Sequence, residues 1–99
     1  MKSIYNKLRD DFEFISKYGF HFSYVEHHYV MPSVVFSDGT QRLQIGMHFD
    51  DGRMFVLFYE FKEQIRGESI IGNIKFLSRK YNDQVQTVRE IVDQFLQSI

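Results

Sequence analysis

The chain has no cysteine and no tryptophan, one proline, and no excess of either charge. Each absence closes a class of function. Without cysteine there is no disulfide framework, thiolate zinc site, redox pair or cysteine nucleophile. No run approaches the ~18 apolar residues of a membrane span. The opening MKSIYNKLRDDFEF scatters charge through the stretch of ~7 to 15 residues that a signal peptide keeps apolar. The expected compartment is therefore the cytoplasm, with no membrane partner. Twelve basic and thirteen acidic residues leave a net charge of -1. No global field draws in a polyanion, which argues against a nucleic-acid partner.

Aromatic residues are plentiful: eleven Phe and six Tyr stand within a 43% apolar composition. That is ample for one core in a chain below the usual two-domain size. With no repeat, low-complexity segment or linker, residues 1–99 read as a single α+β domain.

Ile4, Leu8, Phe12 and Ile15 recur at helical spacing and predict one helix from Ser3 to Tyr18, ended by Gly19 in a left-handed C-cap. Phe20, Phe22 and Tyr24 alternate with His21, Ser23 and Val25, as in a half-buried strand running to His27. Pro32 breaks the ladder, so His28 to Pro32 reads as a connection. Ser33 to Ser37, Gln41 to Phe49 and Arg53 to Phe61 then form a meander through Asp38-Gly39 and Asp51-Gly52, each read as a two-residue loop of type I′. Ile70, Ile74, Leu77 and Tyr81 suggest a helix, and Asn82 or Asp83 the N-cap of a last one, with Gln86 completing a capping box. Val85, Val88, Val92, Phe95 and Ile99 would face inward from it. The expected architecture is a helix, a four-stranded antiparallel meander, and two C-terminal helices packed on one sheet face.

Counting outward from the turns assigns Val34, Phe36, Leu43, Ile45, Met47, Phe49, Met54, Val56 and Phe58 to the core face. Val35, Arg42, Gln44, His48, Phe55, Leu57, Tyr59 and Phe61 fall on the other. An antiparallel strand with one wet face should alternate apolar with polar, and the row Phe55, Leu57, Tyr59, Phe61 does not. Two readings stand. The strand is covered on both faces, by a helix or by the loop around Tyr29 and Met31, or the row is an exposed aromatic patch rimmed by Arg42, Gln44 and His48, of the kind that anchors a protein interface.

Other chemistry finds little support. His27 and His28 are neighbours in or near a strand, where adjacent side chains point to opposite faces, His21 and His48 lie on different strands, and no metal-ligand spacing joins any of them to a carboxylate. Asp50, Asp51 and Gly52 lack the later ligands of a calcium loop and suit a hairpin turn. A catalytic pair of His48 with Glu60 or Glu63 is the least poor candidate, but the registry puts His48 and Glu60 on opposite faces. No metal, no cofactor and no catalytic residue is expected, and the chain reads as a non-enzyme.

The stretch from DFEFISKYGF (Asp11 to Phe20) through VVFSDGTQRLQIGMHFDDGRMFVLFY (Val34 to Tyr59) resembles small bacterial toxin-immunity proteins of the contact-dependent inhibition or polymorphic-toxin type. In these a helix ending in a YGF-like corner precedes a meander. Tyr18-Gly19-Phe20, Arg42 and Asp50 carry the likeness, which covers about half of the chain. It implies a cytoplasmic bacterial protein that binds and neutralises a cognate toxin domain. The expected partner-binding residues are Arg42, His48, Asp50, Asp51, Phe55, Tyr59, Glu60, Phe61 and Glu63, the acidic ones steering a basic toxin. A small accessory enzyme or an RNA-binding α+β protein is the second reading, since an RNA-recognition sheet also displays aromatics beside basic groups such as Arg42 and Arg53.

Overall fold

A computed structural model describes residues 3–60, 67–69 and 80–99, with residues 60 and 67–69 given by their backbone alone. Helix α1 (Ile4–Asp11) and a 3₁₀ helix (Glu13–Tyr18) precede strands β1 (His21–Glu26), β2 (Ser33–Ser37), β3 (Gln41–Met47), β4 (Met54–Glu60) and β5 (Gly67–Ser69), and helix α2 (Tyr81–Ser98) closes the chain. The strands form one antiparallel sheet in sequence order. The class is α+β, as expected, but the sheet has a fifth strand beyond the expected four-stranded meander. The helix expected over Ile70 to Leu77 lies outside the described residues, and Tyr81 is instead the first residue of α2.

The N-terminal helix is two elements. Ser3 caps α1 by accepting the Asn6 N–H at 3.2 Å, worth about 1 kcal/mol. At Phe12 the chain tightens into the 3₁₀ helix, which ends at Gly19 with φ +87°. Leu8, Phe12 and Ile15 stay on one side through the change, all fully buried.

Both meander turns differ from expectation by the same amount. Val34 pairs with Ile45 and Phe36 with Leu43, so the first loop is Gly39-Thr40. Its closing bond runs from the Asp38 N–H to the Gln41 carbonyl at 3.2 Å. Of the two loop residues only Gly39 has positive φ, at +97°, as in a type II′ turn rather than I′. Met47 pairs with Met54 and Ile45 with Val56, which makes the second loop four residues, Phe49 to Gly52, inside the His48-to-Arg53 hydrogen bond. Each register is shifted by two residues, and a shift of two keeps every side chain on its face. Phe49 is the casualty. Expected in the core, it sits in the loop and is 55% exposed.

On the core face Val34, Phe36, Leu43, Ile45, Met47, Met54, Val56 and Phe58 are buried against Leu8, Phe12 and Ile15 from one helix side and Val88, Val92 and Leu96 from α2. Each such aliphatic or aromatic side chain contributes about 1.5–3 kcal/mol relative to exposure. In α2 the stripe is Tyr81, Gln84, Val88, Val92 and Leu96. Leu96, not Ile99, faces the core, and Lys80, not Asn82 or Asp83, is the N-cap. The expected Asp83–Gln86 capping box is therefore not formed, because Asp83 already lies in the first helical turn.

Polar contacts lock the helices together. The Tyr18 hydroxyl donates to Asp93 at 2.6 Å and the Tyr81 hydroxyl to Asp11 at 2.5 Å, while Lys17 pairs with Asp93 at 3.1 Å.

Candidate functional site

With α1, the 3₁₀ helix and α2 all on one face, no described helix lies on the other. Its floor is small and dry: Ser33, Val35 and Gly46 are buried. Their burial goes with long neighbours on the same face. The Gln44 amide donates to the Ser33 hydroxyl at 2.8 Å. A Cβ at Gly46 would come within 2.6 Å of the tip of the Phe55 ring and 2.5 Å of the Pro32 carbonyl, so the missing side chain at Gly46 is what leaves room for Phe55 there.

A β-bulge in β1 decides who joins this face. His21 and Phe22 pair with Ser37 and Phe36, but Tyr24 and Val25 pair with Val35 and Val34, leaving Ser23 unpaired. The extra residue reverses the alternation. Phe22 and Val25 therefore pack against the core. Tyr24, expected beside Phe20 and Phe22, is turned to the second face and is 37% exposed.

There Tyr24 meets Arg42. The Arg42 Nη1 donates to the Tyr24 hydroxyl at 3.1 Å, and the guanidinium lies over the Tyr59 ring, 5.1 Å from its centroid. Tyr24, Glu26, Val35, Arg42, Gln44 and Tyr59 line a shallow recess of about 220 Å³. Burial raises the Tyr59 phenol pKa; Arg42 pulls it down, and Tyr24 and Glu26 add to the rise. The hydroxyl thus stays protonated and able to donate at neutral pH.

The face continues past the strand ends. The Met47 N–H donates to the Pro32 carbonyl at 3.1 Å and the Phe49 N–H to the Val30 carbonyl at 2.8 Å. Pro32 ends strand donation from one side only; the ladder runs on in the same register and sets Met31 opposite His48. Met31 is 38% exposed, and the His48 ring stands 5.0 Å from Phe55.

Of the residues singled out from sequence, Arg42 and Tyr59 come together, and His48 and Phe55 form a second pair further along the face. Asp50 and Asp51 serve their own turn: Asp50 accepts the Asp51 N–H at 2.9 Å, and Asp51 accepts the Arg53 N–H at 3.0 Å and lies 3.8 Å from its guanidinium. Glu60 pairs in register with Gln41, on the parity of Phe58, opposite to His48. Phe61 and Glu63 lie outside the described residues. Tyr24, Glu26 and Met31 were missed. No periodicity announces a bulge, and Pro32 hides the continuing ladder.

A wider recess of about 590 Å³ lies between α1 and β1. Arg9, Asp10 and Glu13 mix charge sign around Phe20, Phe22 and Phe36 in its lining, and the Arg9 guanidinium lies 4.0 Å over Phe22. Among the described residues no three of His, Asp and Glu gather as a metal-binding group, and no helix is long and apolar enough to cross a membrane. No family model, no curated protein and no solved structure matches the chain.

Proposed function

We propose that this chain is a protein-binding module whose second sheet face is the contact surface, and that it neutralises a toxin domain in the cytoplasm, as the immunity proteins it resembles do, without chemistry of its own. The observation that carries the reading is the cluster of Tyr24, Arg42 and Tyr59, gathered from three strands on the sheet face away from the described helices. Tyrosine and arginine are the residues that dominate binding energy at interfaces. Arg42 is already oriented by a hydroxyl and a ring, so it has less freedom to lose on docking.

The company of Glu26 favours protein over RNA. A carboxylate in the same recess as the guanidinium would meet a phosphate backbone with repulsion, whereas paired opposite charges suit the mixed polar surface of a folded partner.

The test is to purify the tagged chain from its own host, identify the protein that co-purifies, and assay that protein's activity with and without one equivalent of the chain. A toxic activity silenced in the stoichiometric complex is the expected result. Recovery of RNA instead, or turnover of a substrate by the chain alone, would move the assignment to the RNA-binding or enzyme reading.

A further inference from the structure

We infer that His28 is a pH-operated clasp on the connection between β1 and β2. Its Nδ1 accepts two backbone hydrogen bonds, from the Val30 N–H at 3.1 Å and the Met31 N–H at 3.0 Å. An imidazole nitrogen accepts only through a lone pair, so this geometry requires the neutral ring with its proton on Nε2. The imidazolium carries N–H at both nitrogens and has no acceptor left. Protonation therefore removes both bonds together and sets a cation against two N–H dipoles.

Histidine is the side chain that ordinarily changes charge between about pH 5 and 8. Among the described residues, titratable groups surround the clasp on several sides. Tyr29 stacks on the His28 ring at 5.5 Å, and His27 contacts Tyr5 of α1 at 4.9 Å. Glu26 ends β1 two residues earlier, and the bond from Phe49 to Val30 brings the Asp50 and Asp51 loop to the same end of the sheet.

The clasp shapes the segment that carries Tyr29, 88% exposed, and Met31, 38% exposed. Acid release frees the turn from His28 to Met31, while the carbonyls of Val30 and Pro32 keep the chain tethered to Phe49 in the following loop and to Met47 in β3. Its consequence for a partner rests on the second face being the contact surface. The clasp itself is tested without any partner, so the two ideas fail separately.

The experiment is a proton–nitrogen NMR titration of the whole chain across pH 8 to 5, following the Val30 and Met31 amides and the His28 ring. The three curves should share one midpoint, with both amides moving toward their unstructured positions in acid. His28→Ala should abolish both amide curves and speed exchange of those amides at the neutral end by roughly tenfold, as expected for the loss of a hydrogen bond, whereas His27→Ala should leave them intact. Amides that stay flat while His28 titrates, or amide curves that persist in His28→Ala, would overturn the clasp.

Discussion

At Gln84 a side-chain amide takes the place of backbone partners. The residue is fully buried on α2, where its Oε1 accepts the Met54 N–H at 2.8 Å and its Nε2 donates to the Gly52 carbonyl at 2.6 Å and the Lys80 carbonyl at 3.1 Å. Only one orientation of the amide satisfies a donor on one side and two acceptors on the other. The amide thereby ties the start of α2 to the end of the β3–β4 loop. Gln84→Ala leaves the buried Met54 N–H without that partner, at roughly 1–3 kcal/mol, and removes a partner from the half-buried Gly52 carbonyl. Urea unfolding should show a clearly lower midpoint at unchanged slope; a midpoint equal to wild type would mean that water replaces the amide at no cost. Periodicity could not have revealed Gln84, because a polar residue inside an apolar stripe reads as a gap. Asp38 was easier, since Asp-Gly signals a turn. Its carboxylate takes the N–H groups of Thr40 and Gln41. Burial opposes its ionisation, and these donations together outweigh burial to hold its pKa below the usual value.

At the scale of elements, the meander was legible because its faces survive an error of two in register. Val56 and Phe58 are buried whether the second loop holds two residues or four. Loop length was not legible, because Asp-Gly and Asp-Asp-Gly turns carry the same residues, and Phe49 paid for the difference. Phe58 packs edge-on against Phe95 of α2 at 5.1 Å, so Phe58→Ala should cost about 3–5 kcal/mol. An unchanged melting temperature would contradict the packing of α2 on β4. The staple between the 3₁₀ helix and α2 is electrostatic. Hydrogen bonds from Tyr18 and then Lys17 depress the Asp93 pKa below 3.8. A depressed carboxyl contributes stability that is present above its unfolded pKa and is lost as pH falls through the folded value. Lys17 is raised above 10.5, chiefly by its bond to Asp93, so its contribution is present below that value and is lost at higher pH. Asp93→Asn should lower the melting temperature at neutral pH. The difference from wild type should shrink in acid, below the ordinary carboxyl range; a constant difference from pH 7 to 3 would remove the charge from the explanation.

At the scale of the whole molecule, the described residues form a sheet with their helices on one face and a tyrosine–arginine cluster on the other. That division could be read only in part: the wholly apolar face called for helices, while the row Phe55, Leu57, Tyr59, which breaks the alternation of a solvated face, left a covered strand and an exposed patch both open. The cluster's membership could not, because it depends on one unpaired residue, Ser23, which brings Tyr24 across to Arg42. The expected acidic contribution also changes place: Asp50 and Asp51 hold their turn, and Glu26 is the carboxylate that shares the recess. The most direct test is calorimetric titration of the co-purified partner with wild-type chain and with Tyr59→Ala, each checked for an unchanged melting temperature. If the second face is the contact surface, Tyr59→Ala weakens binding by at least ~1 kcal/mol, or about fivefold. Equal affinity for the two proteins would contradict the account.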